Sequence, residues 1–297
     1  MAFTRKRIDL TFVLGGEATF DGSSNQVTIT GLRVSCKIVK TASAAMNECQ
    51  LRVWGLPPNI YNALVSIYPI ISVQQRNTVT VSAGDTDPLA QVFIGQITLA
   101  QVDLNQQPDC VVNIIAQTAL LQALTTSAPT SYSAPFSVVS AMQTLASNMS
   151  LQFEAKDVPT TMMLPKMTLN GNFRDQAIKL AESTYPKLNI GFDDNVLVIF
   201  TSAGSRTNQK TTIISDSADP AMIGYPALGN NGIVVKSTYN PNIMWGAQVM
   251  VKSSLQVANL NGLWTAYNIA HTLESELPDG KWETEVTAQN FNLLGQE

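Results

Sequence analysis

From Ile8 onward apolar and polar residues alternate. Ile8, Leu10, Phe12 and Leu14 fall on one side and Arg7, Asp9 and Thr11 on the other, which predicts a half-buried antiparallel strand. After the turn-prone run Asp21-Gly22-Ser23-Ser24-Asn25, Val27 and Ile29 resume the inward face. Past Gly31 the apolar parity switches to Leu32, Val34, Cys36 and Ile38. A one-residue phase change at a glycine predicts a β-bulge within one long strand. Cys49, Leu51 and Val53 mark the next strand, and Gly55-Leu56-Pro57-Pro58 opens a short helix over residues 59–67. Strands over 78–82, 92–102 and 110–116 complete a small antiparallel barrel or sandwich with one helix.

The Ser/Thr/Pro-rich stretch 125–135 marks a boundary, after which the periodicity changes. Val138, Val139, Met142, Leu145, Ala146 and Met149 recur at helical spacing, and a strand follows over 151–155. A second helix has Asn172 placed as its N-cap, Asp175 in its first turn, and Phe173, Ala177, Leu180 and Ala181 as its apolar stripe, and Pro186 ends it. Strands over 188–192 and 196–200 flank Asp193-Asp194-Asn195, which reads as turn chemistry. Period two returns near Thr211, with strands over 232–237, 247–252, 263–273 and 282–288. The fold class expected is mainly β with an α+β insertion: two antiparallel β-barrels (residues 1–125 and 211–297) flanking a small α/β module (126–210).

The last hairpin echoes an earlier one. Residues 97–118 read ITLAQVDLNQQPDCVVNIIAQT, and residues 269–290, 172 positions later, read IAHTLESELPDGKWETEVTAQN. Each is a strand, a polar tip with Pro-Asp (Pro108-Asp109, Pro278-Asp279), and a strand closing on Ala-Gln (Ala116-Gln117, Ala288-Gln289). Matching start and end at one offset points to two copies of one β unit separated by something else.

Composition narrows the function. Charged residues make up 13% of the 297, about half the usual fraction, while apolar residues are an ordinary 45%. Few charges among many Thr, Ser, Asn and Gln fit a surface covered by partners; a neutral β-rich monomer is the alternative. A net charge of −4 argues against a nucleic-acid binder. The basic cluster Arg5, Lys6, Arg7 sits at the start of a strand and reads as a solvated edge. No apolar run approaches the ~20 residues of a membrane span, and Asp9 interrupts the short apolar segment that a secretory signal would need. Cys36, Cys49 and Cys110 are odd in number and widely spaced, and read as buried thiols of a reducing cytoplasm.

The chemistry of common enzymes is missing. A single histidine, His271, cannot build an H-E-x-x-H zinc site, and no G-x-S-x-G, P-loop or G-x-G-x-x-G occurs. Glu283 and Glu285 share a strand face at ~7 Å, a separation that inverting glycosidases use, but a polar edge gives the same spacing and no apolar pocket flanks them. Asp85-x-Asp87 is followed by Pro88 and reads as a hairpin tip. No catalytic, cofactor-binding or metal-ligating residues are assigned. Trp245, Trp264, His271 and Trp282 stand as interface or core anchors, since clustered tryptophans pack a core corner or anchor a partner.

Three stretches carry a family resemblance. The first is Val92-Phe93-Ile94-Gly95-Gln96-Ile97 followed by the Pro108-Asp109 tip and the strand over 112–116. The second is Met222-Ile223-Gly224-Tyr225-Pro226 running into Gly232-Ile233-Val234-Val235-Lys236-Ser237. The third is Asn240-Pro241-Asn242-Ile243, then Gly246, Asn261-Gly262-Leu263-Trp264, His271 and Gly280-Lys281-Trp282. Together they resemble the baseplate hub proteins of contractile-tailed bacteriophages, relatives of the hub part of type VI secretion spikes. The resemblance implies two tail-tube-like barrels per chain and a homotrimer that presents six quasi-equivalent units. One face of that ring accepts the sixfold tail tube and the other the threefold central spike, beside other baseplate proteins. It further implies a virion protein assembled in the host cytoplasm, an axial channel through which DNA only passes, no membrane insertion, no cofactor and no enzymatic activity. Other readings are a different tail component (a tube protein or a distal tail ring), a cell-surface glycan-binding module, and a cell-wall hydrolase.

Overall fold

The computed structural model describes residues 4–41, 45–65, 76–105, 110–201, 204–206, 211–217, 220–229, 232–255 and 260–289. The first part of the chain forms β1 (Arg7–Val13), β2 (Gln26–Ile29), β3 (Val34–Thr41), β4 (Glu48–Trp54), α1 (Pro58–Leu64), β5 (Thr78–Gly84), β6 (Ala90–Asp103) and β7 (Val111–Gln117). The middle holds α2 (Leu120–Leu124), β8 (Thr130–Tyr132), β9 (Phe136–Ser137), α3 (Val138–Asn148), β10 (Gln152–Lys156), β11 (Met163–Leu164), β12 (Met167–Leu169), α4 (Phe173–Glu182), β13 (Leu188–Asp193) and β14 (Val196–Thr201). The chain closes with β15 (Thr212–Ser215), β16 (Ala227–Gly229), β17 (Gly232–Thr238), β18 (Gln248–Lys252), β19 (Gly262–Ser275) and β20 (Trp282–Gln289). The protein is mainly β, with an α/β module between two β regions.

Two compact units emerge, and the chain passes between them more than once. The first comprises Met1–Val39, Asn47–Leu121 and Ala270–Thr284. Its strands run in the order β19-β3-β4-β7-β6-β5-β1-β2. The alternation read from the sequence is what buries Ile8, Leu10 and Phe12 of β1, Val34, Cys36 and Ile38 of β3, and Cys49, Leu51 and Val53 of β4. Gly31 does not make a bulge inside one long strand. It takes a left-handed φ of +70° and breaks the chain into two strands, β2 pairing with β1 and β3 with β4. A real bulge lies elsewhere, in β6 between Ile97 and Leu99, against β7. The helix α1 ends at Leu64, with Val65 already extended, and residues 66–67 of the expected 59–67 span, like the Pro108-Asp109 tip, fall outside the described residues.

The second unit comprises Lys40–Met46, Gln122–Ile269 and Glu285–Glu297. Its α/β module is a three-stranded sheet, β10-β14-β13, with β10 parallel and β13 antiparallel to β14, and with α3 and α4 packed on it. Asn172 caps α4 as expected, its side chain accepting from the Asp175 N–H at 2.8 Å. The remaining strands run β16-β17-β20-β19-β18-β15. Single bridges tie Ala221 to Ser215 of β15 and Met222 to Ser237 of β17, so hydrogen bonding passes from one end of this strand series back to the other. Val235, Val249, Val251, Trp264, Ala266, Val286 and Ala288 fill its interior.

The two β regions share one topology. In the first, β4-β7-β6-β5-β1 are neighbours; in the second, β17-β20-β19-β18-β15 are. Both long strands, β6 and β19, are 14 residues, and Gly262 begins β19 172 positions after Ala90 begins β6. The hairpin repeat read from the sequence is therefore a repeat of fold. Two differences separate the copies. β1 pairs antiparallel with β5, whereas β15 pairs parallel with β18, a departure from the antiparallel expectation. The outward row Asp9–Ser82–Gln91 of the first is polar, while its counterpart Ile213–Met250–Leu263 is apolar.

Gly95 tests this packing. A Cβ there would lie 2.6 Å from the Phe93 ring and 2.9 Å from the Gln117 backbone. Gly95→Ala is expected to destabilise the first unit by about 1–3 kcal/mol, read as a lowered urea midpoint; an unchanged midpoint contradicts the packing.

Candidate functional site

The four anchor residues separate once placed. Trp245 is fully buried, and Trp264 is 9% exposed with its Nε1–H donating to the Leu260 carbonyl at 3.1 Å. His271 is buried on β19, its Nδ1 2.9 Å from the Thr284 hydroxyl of β20. Trp282 is partly exposed, with the Lys6 ammonium 5.8 Å from its ring centroid. The basic cluster is engaged rather than simply solvated: Arg5 pairs with Glu276 at 2.7 Å and Arg7 with Asp87. Asp85 and Asp87 occupy the β5–β6 hairpin tip as expected, with the Thr4 hydroxyl on Asp85. Glu285 is exposed beside Lys236 at 3.8 Å. Cys36 and Cys49 are buried free thiols with their sulfurs 3.8 Å apart, and Cys110 is partly exposed.

The densest polar chemistry lies in the second unit and was not legible as a site. Asp193, at the end of β13, is 3% exposed instead of standing in an open turn. Asp194, with φ of 53°, and Asn195 make the turn between β13 and β14. The Lys40 ammonium donates to Asp193 Oδ1 at 2.8 Å and to Asp194 Oδ2 at 3.3 Å. The Arg206 guanidinium donates to Asp193 Oδ2 and, at 3.3 Å, to Glu154 Oε2. Each oxygen of Asp193 thus accepts from a different cation. The sequence carried one signal: Lys40 shares the inward parity of Val34, Cys36 and Ile38, and a lysine there needs a buried partner.

Close packing fixes this cluster. The Arg206 guanidinium lies 5.1 Å from the Trp245 ring centroid. Trp245 in turn lies over Gly191 of β13, where a Cβ would sit 2.3 Å from its ring. Gly246 has φ of +75°, and a Cβ there would meet Arg206 and Phe200 at 2.9 and 3.0 Å. The Arg206 N–H donates to the Gly246 carbonyl at 2.6 Å, so the loop and the side chain are positioned together.

Burial works against the charges of Asp193, Lys40 and Arg206 and is outweighed. It would push the Asp193 carboxyl up, but Lys40 and Arg206 hold it below the usual carboxylate range. Burial would likewise lower the Lys40 and Arg206 values, and the facing carboxylates hold both above their ordinary ones. Asp193, Lys40 and Arg206 therefore stay charged at neutral pH. Among the described residues no group of three or more His, Cys, Asp or Glu is arranged to hold a metal. A cavity of about 140 Å³ lined by Asn189, Phe200, Gly246, Thr265, Ala266, Tyr267 and Gln289 contains no carboxylate, histidine or cysteine. The arrangement is a structural clamp.

Removing one partner of a buried pair strands the others. Asp193→Asn is expected to destabilise the protein by roughly 3–5 kcal/mol, measured by denaturant unfolding followed through tryptophan fluorescence. The low Asp193 value contributes stability that is complete above about pH 4 and is lost as pH falls through the folded-state value of about 2. The wild type should lose stability across that window, and Asp193→Asn should lose less; parallel acid profiles contradict the clamp.

Comparison with known proteins places this architecture. The 43 kDa tail protein of prophage MuSo2 from Shewanella oneidensis is similar over 96% of this chain and 99% of its own, with 10% identity and a TM-score of 0.59. A tail protein from Neisseria meningitidis MC58 is similar over 95% and 96%, with 9% identity and a TM-score of 0.61. The E. coli c3393 protein, a type VI secretion component described as similar to the T4 tail proteins gp27 and gp5, matches over 87% and 74%, with 11% identity and a TM-score of 0.55. At these identities the likeness is one of fold. No curated protein matches the chain in sequence. The model of the family described as baseplate hub gp41 matches residues 8–280, nearly the whole chain, and this protein belongs to that family.

Proposed function

We propose that the chain assembles as a homotrimer that joins the sixfold tail tube to the threefold central spike and lines the axial channel. The family is one of structural baseplate components and not of enzymes, and a phage baseplate component belongs to the virion tail. The observation that carries the finer reading is the duplicated topology, β4-β7-β6-β5-β1 and β17-β20-β19-β18-β15. Three chains with two equivalent sheets each offer six quasi-equivalent units, which meets a sixfold ring on one side while keeping threefold symmetry on the other. On this reading residues 1–125 and 211–297 are the two tube-like barrels and residues 126–210 the inserted module.

The remaining parts follow from that role. The partners are the tail tube protein, the central spike protein and other baseplate proteins, in a contractile tail assembled in the host cytoplasm. DNA is in contact with the channel wall only in transit, and a net charge of −4 suits a wall that does not grip it. Scarce surface charge fits large permanent contacts. Among the described residues no helix is long and apolar enough to cross a membrane. A glycan-binding reading requires tryptophan faces open to solvent, whereas Trp245 and Trp264 are buried.

Native mass spectrometry of the purified protein tests the assembly. Three chains are expected; a stable monomer, or a six-chain ring as a tube protein would form, contradicts the proposal.

A further inference from the structure

The two copies of the repeat treat charge on the outward side of their sheets differently. In the second copy Lys236 of β17 lies 3.8 Å from Glu285 of β20, so that cation has its own counter-ion. Glu285 stands 172 positions after Asn113 of β7, the offset of the hairpin repeat. Asn113 is the register partner of Arg52 on β4. The first copy therefore keeps the cation and has a neutral amide where the second copy has the acid.

Arg52 does not stand alone. Its partner across the β3–β4 ladder is Ser35, and Arg33 precedes Ser35 by two residues, on the same side of the chain. The Arg33 guanidinium lies 4.3 Å, and that of Arg52 5.2 Å, from the centroid of the Trp54 ring. Trp54 is partly exposed and shares the outward face of β4 with Arg52. Each distance is within reach of a cation–π contact, but two like charges drawn to one ring repel each other. Both arginines are exposed, and among the described residues neither forms an ion pair. The acids of these strands are engaged elsewhere. Glu48 accepts from the side-chain amides of Gln50 and Gln117 at 2.7 and 3.3 Å, and Glu274, beside Ser35, accepts from the Lys281 N–H at 2.9 Å.

Two guanidinium forks beside an indole face match a carboxylate-bearing polypeptide. The forks take carboxylates in a fixed geometry, the ring offers flat apolar area, and arginine and tryptophan are the residues that dominate binding energy at protein interfaces. A nucleic-acid track instead needs cations repeated along many phosphates, and here Glu48 and Glu274 interrupt any such run. We infer that the outward face of β3 and β4 around Trp54 docks an Asp- or Glu-bearing segment of another protein, with its carboxylates held by Arg33 and Arg52 and its backbone or an apolar side chain laid on the indole. The site belongs to the first copy of the repeat alone, so each chain offers one, whatever its oligomeric state.

Fluorescence anisotropy on the full-length chain tests this, with a dye-labelled hexaglutamate peptide and a dye-labelled short DNA duplex as probes at one low ionic strength. Saturable peptide binding is expected, weakened about tenfold or more in the double variant Arg33→Gln, Arg52→Gln. Lys236→Gln, which removes the paired cation of the second copy, is expected to bind the peptide as the parent does. Asn113→Glu copies Glu285 into the first sheet, gives Arg52 an internal acid, and is expected to weaken the peptide several-fold; it decides the matter if the double variant shifts the unfolding midpoint. Absence of saturable peptide binding, equal affinity in the parent and the Arg33, Arg52 and Asn113 variants, or tighter binding of the duplex than of the peptide overturns the assignment.

Discussion

Every β-strand has two edges, and the N–H and C=O groups on both need partners. Much of this molecule answers that constraint. In the second unit residues 221–223 carry hydrogen bonding from β17 back to β15. In the first, β3 lies between β19 and β4, and β5 between β6 and β1, so each has both edges paired. The 14-residue strands β6 and β19 are too long for a single neighbour on their outer side, since β5 and β18 are only 7 and 5 residues. A long strand beside a short one leaves a length of edge that something else must fill. Beside β19 it is β3 that fills it.

Charge is used sparingly and is concentrated where it fixes geometry. The Lys40–Asp193–Arg206–Glu154 cluster gathers the end of β3, the β13 and β10 strands and the 204–206 loop around one carboxylate. Such a buried cluster adds less stability than an apolar core of the same volume, but it tolerates few alternative arrangements. Trp245 against Gly191, and Gly246 under Arg206, extend that restriction to the backbone. Specificity of this kind suits the coupling role proposed above.

Much of the fold was legible in residue patterns. Period-two alternation located β1, β3, β4 and the late strands, helical spacing located α3 and α4, and Asn172 was readable as a cap because capping depends on local residues alone. The hairpin repeat was legible because strand, tip and strand recur in one order. What failed was non-local. Gly31 gives the same parity shift whether it bulges a strand or breaks it, and only the partners of β2 and β3 decide. Asp193 looks like a turn residue beside Asp194 and Asn195 until Lys40 and Arg206 arrive from distant parts of the chain. The parallel entry of β15 leaves no mark in its four residues, since either direction buries Ile214.

The central claim is that one polypeptide presents the same sheet twice so that three chains make a sixfold wall. A three-dimensional reconstruction of the assembled ring, at a resolution that traces strands, tests it most directly. The account predicts three chains whose β4-β7-β6 and β17-β20-β19 segments alternate around the axis at one radius. A ring in which only one of the two segments reaches the channel, or in which they lie at different radii, contradicts it.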